Sequence, residues 1–457
     1  MIDTTELEAD IQARINALAG TESVDELFSL TSALRALTSK SYVSVATYAD
    51  LPNLTTKPMP SGSLIFVQQL NILMMSVGNQ WKGVDGRLPP PPVTAYSWGL
   101  GGSGQLGDNT TSNRSSPVTV VGGLTTWSQV SLGLRHSLGL TTAGIAYAWG
   151  RNNYGELGDN TTSKRSSPVT VIGGITNWKQ LAAGYTHSLG VTTTGIAYAW
   201  GTNNIGQLGD GTTTSKSSPV VIVGGITSWS QVEAGDFHSM GLTTTGVVYA
   251  WGSNNNGQLG DNTITNKSSP VTVVGGITTW SQISSGEKHN LSSTSAGVLY
   301  AWGYNGVGQL GDNTITNKSS PVTVVGGITP WSKVSAGARH SLAIAASGTA
   351  YGWGRNDWGE LGDNTTSSRS SPVTVVGGIT NWTQVSASLT RGSFATGSHS
   401  LGLTSAGVIY SWGSNNYGLL GDGTTSSRSS PVTVVGGITT WNFIDTSFAH
   451  SVALKVG

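Results

Sequence analysis

The chain contains no cysteine, which excludes disulfide staples and thiolate metal sites. It is also poor in charge: 10% of residues are charged, with 23 basic set against 23 acidic. Neutralising a phosphate backbone needs a local surplus of lysine and arginine, so the balance argues against a nucleic-acid partner. Long apolar runs are missing as well. The longest candidate, residues 63–77, is interrupted by Gln68, Gln69 and Asn71 and falls short of the roughly 18 residues a spanning helix needs, so no membrane insertion is expected. The opening MIDTTELEADIQARINAL places acids first and lacks the basic-then-apolar order of a secretory signal.

What is present is a repeat. Glycine supplies 64 of 457 residues, at fixed offsets among valine, isoleucine, leucine and tryptophan, as in a turn-rich β protein. Trp-Gly recurs at Trp98, Trp149, Trp200, Trp251, Trp302, Trp353 and Trp412, the first six 51 residues apart and the last step 59. A second tryptophan keeps the same beat at Trp127, Trp178, Trp229, Trp280, Trp331, Trp382 and Trp441. Within each unit the short runs SLGLT, IAYAW and VTVV alternate with period two and are broken by glycine or Ser-Ser-Pro, so they read as strands. Four short strands per unit make a propeller blade, and seven units make a seven-bladed ring. A linear β-solenoid is the competing architecture, but the chain ends are complementary. The last unit stops at Gly457 before its final strand, while VTAYSWG at 93–99 arrives with no strand before it. The strand at 93–98 is therefore expected to complete a blade whose other strands come from 413–456.

Repetition also weighs against chemistry. All seven histidines (His136, His187, His238, His289, His340, His399 and His450) occupy one slot, read as an internal hydrogen-bonding position donating to a backbone carbonyl of a turn. Asp108, Asp159, Asp210, Asp261, Asp312, Asp363 and Asp422 each head an Asn-Thr or Gly-Thr turn. They lack the further carboxylates of a calcium loop and read as turn formers paired with the basic residue before Ser-Ser-Pro. No unique cluster of histidine and carboxylates stands out, so no catalytic residue, cofactor or metal is expected, and the chain is read as a non-enzyme.

The unit WG-x-N-x-x-G-Q-L-G, then SP, then HS-L-x-L-T-x-x-G-x-x-Y, resembles the repeat of the regulator-of-chromosome-condensation family over residues 93–457. That resemblance implies a seven-bladed propeller, closed by pairing of terminal strands, that serves as a binding scaffold. Members of the family exchange nucleotide on a small GTPase, contact chromatin or inhibit β-lactamases. This sequence matches none of those activities residue by residue.

Departures from the repeat mark candidate contacts. Gln384 to His399 spans 15 residues where Gln129 to His136 spans 7, an insertion about 388–397 carrying Leu389, Arg391 and Phe394. Between Trp-Gly and Leu-Gly stand Tyr154, Asp357, Trp358 and Tyr417, and the residue before each histidine also varies (Arg135, Phe237, Lys288 and Arg339 among them). Leu389, Arg391, Phe394, Trp358, Tyr154 and Tyr417 are read as possible partner contacts, suited to a protein or a glycan. Drift at unconstrained positions is the alternative.

Residues 1–92 are different material. Leu7, Ile11, Ile15 and Leu18, then Val24, Leu27, Leu30, Leu34 and Leu37, keep helical spacing, with Ser23 and Glu26 in capping-box form. The expected order is a helical docking or oligomerisation segment at 1–40, a small β module at 41–87, a Pro-rich linker at 88–92 and the propeller at 93–457. The apolar stripe either packs on its own domain or self-associates, a trimer being favoured. The stretch from Ala46 to Asp85, ATYADLPNL through LNILMMSVGNQWKGVD, resembles modules of tailed-bacteriophage tail fibres and other virion proteins. The resemblance implies a virion structural protein (a tail fibre, baseplate or attachment component) that docks on other virion proteins through residues 1–87 and meets a host surface protein or glycan. The alternative is a soluble propeller, cytoplasmic or extracellular, that binds or inhibits one protein partner.

Overall fold

The computed structural model describes residues 91–389, 398–438, 440–447 and 450–457, together with the backbone of four strands before them. The chain separates into two units, Met1–Pro92 and Val93–Gly457.

In the first unit β1 (Val43–Val45), β2 (Leu64–Val67), β3 (Ile72–Val77) and β4 (Gln80–Gly83) form one sheet in sequence order. β1 runs parallel to β2 and the other pairs are antiparallel. The helical segment expected at 1–40 lies outside the described residues.

The second unit is all β, seven four-stranded antiparallel sheets. Blade 1 comprises β7 (Trp127–Leu132), β8 (His136–Thr141), β9 (Ala146–Gly150) and β10 (Arg165–Thr170). Blades 2 to 6 repeat this order as β11–β14 (178–221), β15–β18 (229–272), β19–β22 (280–323), β23–β26 (331–374) and β27–β30 (382–433). Blade 7 joins the two ends of the repeat region: β31 (Trp441–Thr446) and β32 (His450–Val456) pair with β5 (Val93–Gly99) and β6 (Arg114–Thr119). β5 and β32 run antiparallel over seven registered pairs, from His450 opposite Gly99 to Val456 opposite Val93.

One expectation is corrected. The closing blade takes two strands from each end, rather than one from 93–98 and the remainder from 413–456. The strand of Ser-Ser-Pro-Val-Thr belongs with the Trp-Gly strand before it, so β30 (Arg428–Thr433) finishes blade 6 and β6 finishes blade 7. This fourth strand is the outer one. A proline and a register shift interrupt its pairing, as at Pro168 in β10 between Arg165 and Val169, and these blunt the free edge against further strand addition.

No blade encloses its own core. The cluster of Ala95, Val120, Val452 and Leu454 from blade 7 is completed by Trp127, Val130, Leu132 and Trp149 from blade 1, and the same sharing recurs around the ring. Each Trp-Gly indole is buried and reaches the neighbouring blade. Trp149 Nε1 donates to the Gln105 carbonyl at 2.9 Å and Trp98 Nε1 to the Leu419 carbonyl at 2.9 Å. The glycine that admits the ring is the neighbour's Leu-Gly residue. A Cβ on Gly107 would stand 2.8 Å from Trp149 Nε1.

Candidate interaction face and axial channel

In each blade the turn joining strands one and two lies beside the long loop joining strands three and four. Arg151 N donates to Arg135 O at 2.7 Å, and Tyr304 N to Lys288 O at 2.8 Å. Both sets of connections therefore share one face of the ring, and the tight Thr-Thr-x-Gly turns share the other with the Gly-Gly-Ile-Thr links between blades.

The long loops are held from inside. Asn152, fully buried, accepts from Leu157 N and donates through Nδ2 to Asp159 Oδ1 at 3.0 Å and to the carbonyls of Thr161 and Ser163. Asn203, Asn254, Asn305, Asn356 and Asn415 repeat the arrangement. Asp159 also accepts from Thr161 and Arg165. Burial opposes its charge, but these hydrogen bonds outweigh the burial and hold the carboxyl below its ordinary value. The aspartates are thus turn formers, and six of them pair with the basic residue six positions on, as at Arg114–Asp108, 2.7 Å.

On this scaffold the structure places four of the six predicted contact residues on the same face. Tyr154 in blade 1 and Tyr417 in blade 6 are 47% and 38% exposed, and Trp358 in blade 5 and Leu389 in blade 6 are half-buried. Trp358, Leu389 and Tyr417 sit on adjacent blades, whereas Tyr154 stands two blades beyond, past blade 7. Arg391 and Phe394 lie outside the described residues. Blades 1 and 5 share a trio absent from the others. Arg151 packs on the Tyr154 ring at 5.5 Å and faces Glu156 at 3.7 Å; Arg355 meets Asp357 at 2.7 Å and Glu360 at 3.9 Å beside Trp358. Desolvation pushes both glutamates up, Glu360 to about 7.

The variable residues before the histidines lie on this face too, beside residues the sequence did not single out: Tyr185, Glu287 and Tyr304. Tyr185 and Phe237 meet at 5.5 Å, tilted by 51°, between blades 2 and 3, Lys288 lies over the Tyr304 ring at 6.0 Å, and Glu287 is flanked by Lys288 at 3.3 Å and Arg339 at 3.7 Å. Tyr185 and Glu287 precede the variable residue before each histidine by one position, so aligning that pair of positions would have revealed them.

The histidines are scaffold, with a partner other than the expected turn carbonyl. Nε2 of each imidazole meets the side chain that follows the histidine of the next blade, closing a ring of hydrogen bonds. His136 meets Ser188, His187 Ser239, His238 Asn290, His289 Ser341, His340 Ser400, His399 Ser451 and His450 Ser137, all at 2.8–3.0 Å. The serines donate in turn to the backbone carbonyl that also receives the indole, as Ser137 does to Gln105 O. Asn290 fixes the tautomer: its Nδ2 donates to Gln258 O, leaving Oδ1 to accept, so Nε2 of His238 carries the proton. Desolvation holds the imidazoles down at about 3, or about 4 for His238, and they are neutral near pH 7.

The first strand of every blade lines an axial cavity of about 520 Å³. Two residues of each such strand give it a lining. One is mostly glutamine, which clips the next blade: Gln129 exchanges hydrogen bonds with the backbone of Leu181, and Gln180 with that of Val232. Two residues further on stands serine, whose hydroxyl accepts a backbone N–H of the next blade, as Ser131 does from Ala183. Lys333 and Phe443 replace the glutamine, and Ala182, Glu233 and Asp445 replace the serine. Asp445 keeps the serine's bond, accepting from Leu132 N at 2.9 Å, and also accepts from Ser386 Oγ and Thr446 N. Glu233 accepts from Gln231 Nε2 at 3.0 Å. Desolvation by the channel wall raises Glu233 to about 8, with a further contribution from the charge of Asp445, which desolvation raises to about 7. Among the described residues no three His, Asp or Glu side chains are grouped to hold a metal ion.

Comparison with known proteins agrees with this architecture. The RCC1-like domain family matches residues 222–457, and the regulator of chromosome condensation (RCC1) repeat matches 94–140, 143–191 and 194–242. The ultraviolet-B receptor UVR8 of Arabidopsis thaliana is 33% identical over 73% of this chain and 76% of its own length. The probable E3 ubiquitin-protein ligase HERC4 of Homo sapiens is 34% identical over 44% of this chain, but the match covers only 20% of that protein. Among solved structures, human WBSCR16 superposes with a TM-score of 0.70 at 20% identity, covering 80% of this chain and 99% of that one. Prp20p of Saccharomyces cerevisiae, a structure described together with its binding properties to Gsp1p and histones, gives 0.69 at 22% identity, covering 80% and 92%. Over residues 93–457, then, repeat, ring closure and relatives agree, and the chain belongs to the RCC1-like repeat propeller family.

Proposed function

We propose that this protein is a non-catalytic interaction module whose propeller binds a protein partner across the face carrying Tyr154, Trp358, Leu389 and Tyr417. The observation that supports this reading is an asymmetry between the two faces. The links and turns of the opposite face are Gly, Thr, Ser, Asn and small apolar residues without a single charge, such as VVGGITTW and TSAG. The singular tyrosines, tryptophan, arginines and lysines collect on the other face, and these side-chain types dominate the energetics of protein interfaces. Arg151 against the Tyr154 ring and Lys288 against the Tyr304 ring hold those rings in place before any partner arrives, which lowers the ordering cost of binding.

The relatives named above include a receptor, UVR8, and Prp20p, whose structure is described with its binding to Gsp1p and histones. The virion role, expected from the resemblance of residues 46–85 taken with the low charge and the lack of cysteine, is a separate proposal. The propeller supports the interaction module. Affinity capture from the native source tests it, using the full chain, a Tyr154→Ala/Trp358→Ala/Tyr417→Ala variant and an opposite-face variant, Thr142→Ala/Thr193→Ala. A partner kept by the wild type and the opposite-face variant, and lost by the aromatic variant, is the expected result. A partner that survives loss of all three aromatics overturns the placement.

A further inference from the structure

The axial channel is lined under a rule, and the breaks in the rule bring charge into it. Five blades place glutamine and four place serine at the two channel-facing positions of the first strand. Each of these side chains is engaged in joining one blade to the next wherever its bond is described. A carboxylate is unnecessary for that joint, since the serine hydroxyls of Ser131, Ser284, Ser335 and Ser386 make it unaided. Yet Glu233 in β15 (Trp229–Ala234) and Asp445 in β31 both border the same cavity of about 520 Å³. They belong to blades 3 and 7, which stand on opposite sides of a seven-membered ring.

We propose that the axial channel binds a small aliphatic diamine or polyamine, with one ammonium group at Glu233, another at Asp445, and the methylene stem crossing between them beside Phe443. The volume lies within the usual range for small-molecule sites. Two carboxyls on opposed walls suit a ligand with two separated cationic ends, whereas a divalent metal needs several oxygens converging on one point. Lys333, the one cation among the channel-lining residues, belongs to blade 5 and repels a cation from that wall, which leaves the line between blades 3 and 7. The site is separate from the partner face and does not depend on it.

The repeat itself supplies the test variants. Glu233→Ser and Asp445→Ser install the residue that four other blades carry, so the ring joints survive, and thermal midpoints confirm folding. Isothermal titration of spermidine into the full-length chain at pH 7.5 is expected to show saturable one-to-one binding, weakened about tenfold or more in the double variant. Repeating the titration in buffers of different ionisation enthalpy is expected to show proton release, because a cation beside Glu233 drives its carboxyl to ionise. No saturable binding, equal affinity in the double variant, or heats independent of buffer overturns the assignment. Magnesium or calcium that binds in place of spermidine and is lost with the same substitutions would assign a metal site instead, and also overturns it.

Discussion

At the residue scale, the repeat acts as its own mutagenesis record. Position 290 is asparagine where six blades have serine, and the hydrogen-bond circuit is intact because an amide offers both an acceptor to His238 and a donor to Gln258 O. Asn290→Ser is therefore expected to change stability by under about 1 kcal/mol. His289→Ala deletes a buried ring and its bond to Ser341, and should cost about 2–4 kcal/mol in urea unfolding. A cost below about 1 kcal/mol for His289→Ala would show that the circuit is incidental. The turn after each Leu-Gly-Asp carries the same kind of record. Asn109, Asn160, Asn262, Asn313 and Asn364 hold φ near +60°, and the two blades that read Asp-Gly instead place Gly211 and Gly423 there at +77° and +75°. Asn262→Gly should be nearly neutral, whereas Asn262→Ala should lose about 1 kcal/mol, read as a shift in thermal midpoint. The buried role of histidine was legible in its sevenfold register. Its partner was not, because that serine lies one blade away and only the ring brings the two together.

At the scale of elements, strand content and period were readable because the apolar residues of the short runs recur with period two between glycine-rich breaks, although the second strand of a blade is buried on both faces. Blade boundaries were less so. The sequence shows a cycle without a mark for where a sheet begins, and the Trp-Gly phrase, its most visible signal, falls on a third strand rather than a first. The channel residues escaped notice for a related reason. Glu233, Lys333, Phe443 and Asp445 hide inside Gln-Val-Ser phrases that look like ordinary strand variation until the first strands converge on one axis. Closure makes a sharp prediction at this scale. Removing residues 448–457 deletes β32, which leaves β31 without its strand partner and β5 paired with β6 alone, exposing edges and opening the cluster of Val452, Leu454, Ala95 and Trp127. Such a truncation is expected to abolish the cooperative thermal transition, because damage at one joint opens the ring. A truncated chain with a sharp, near-native transition would mean that blades 1 to 6 suffice.

For the whole molecule, opposing sets of buried titratable groups set the pH range of stability. The seven histidines titrate in the fold at about 3–4, below the 6.5 of the unfolded chain, so unfolding takes up protons. Their contribution is complete above pH 6.5 and is lost as pH falls toward 4. Glu156, Glu233, Glu360 and Asp445 are raised in the fold, three of them to about 7–8, so unfolding releases their protons. They weaken the fold above pH 8, and this penalty is relieved as pH falls toward the ordinary carboxylate range. Between those limits the two sets oppose one another, and the histidines outnumber the carboxyls. Stability should therefore peak between about pH 6 and 7, decline mildly toward alkaline pH, and fall ever more steeply below about pH 4.5, where the carboxyls no longer offset the histidines. Urea midpoints measured from pH 4 to 9 check this. In Glu233→Ser the alkaline decline should flatten while the acid limb is unchanged, since the histidine ring is untouched. An acid limb that shifts with Glu233 would mean that the channel and the ring of imidazoles titrate as one system.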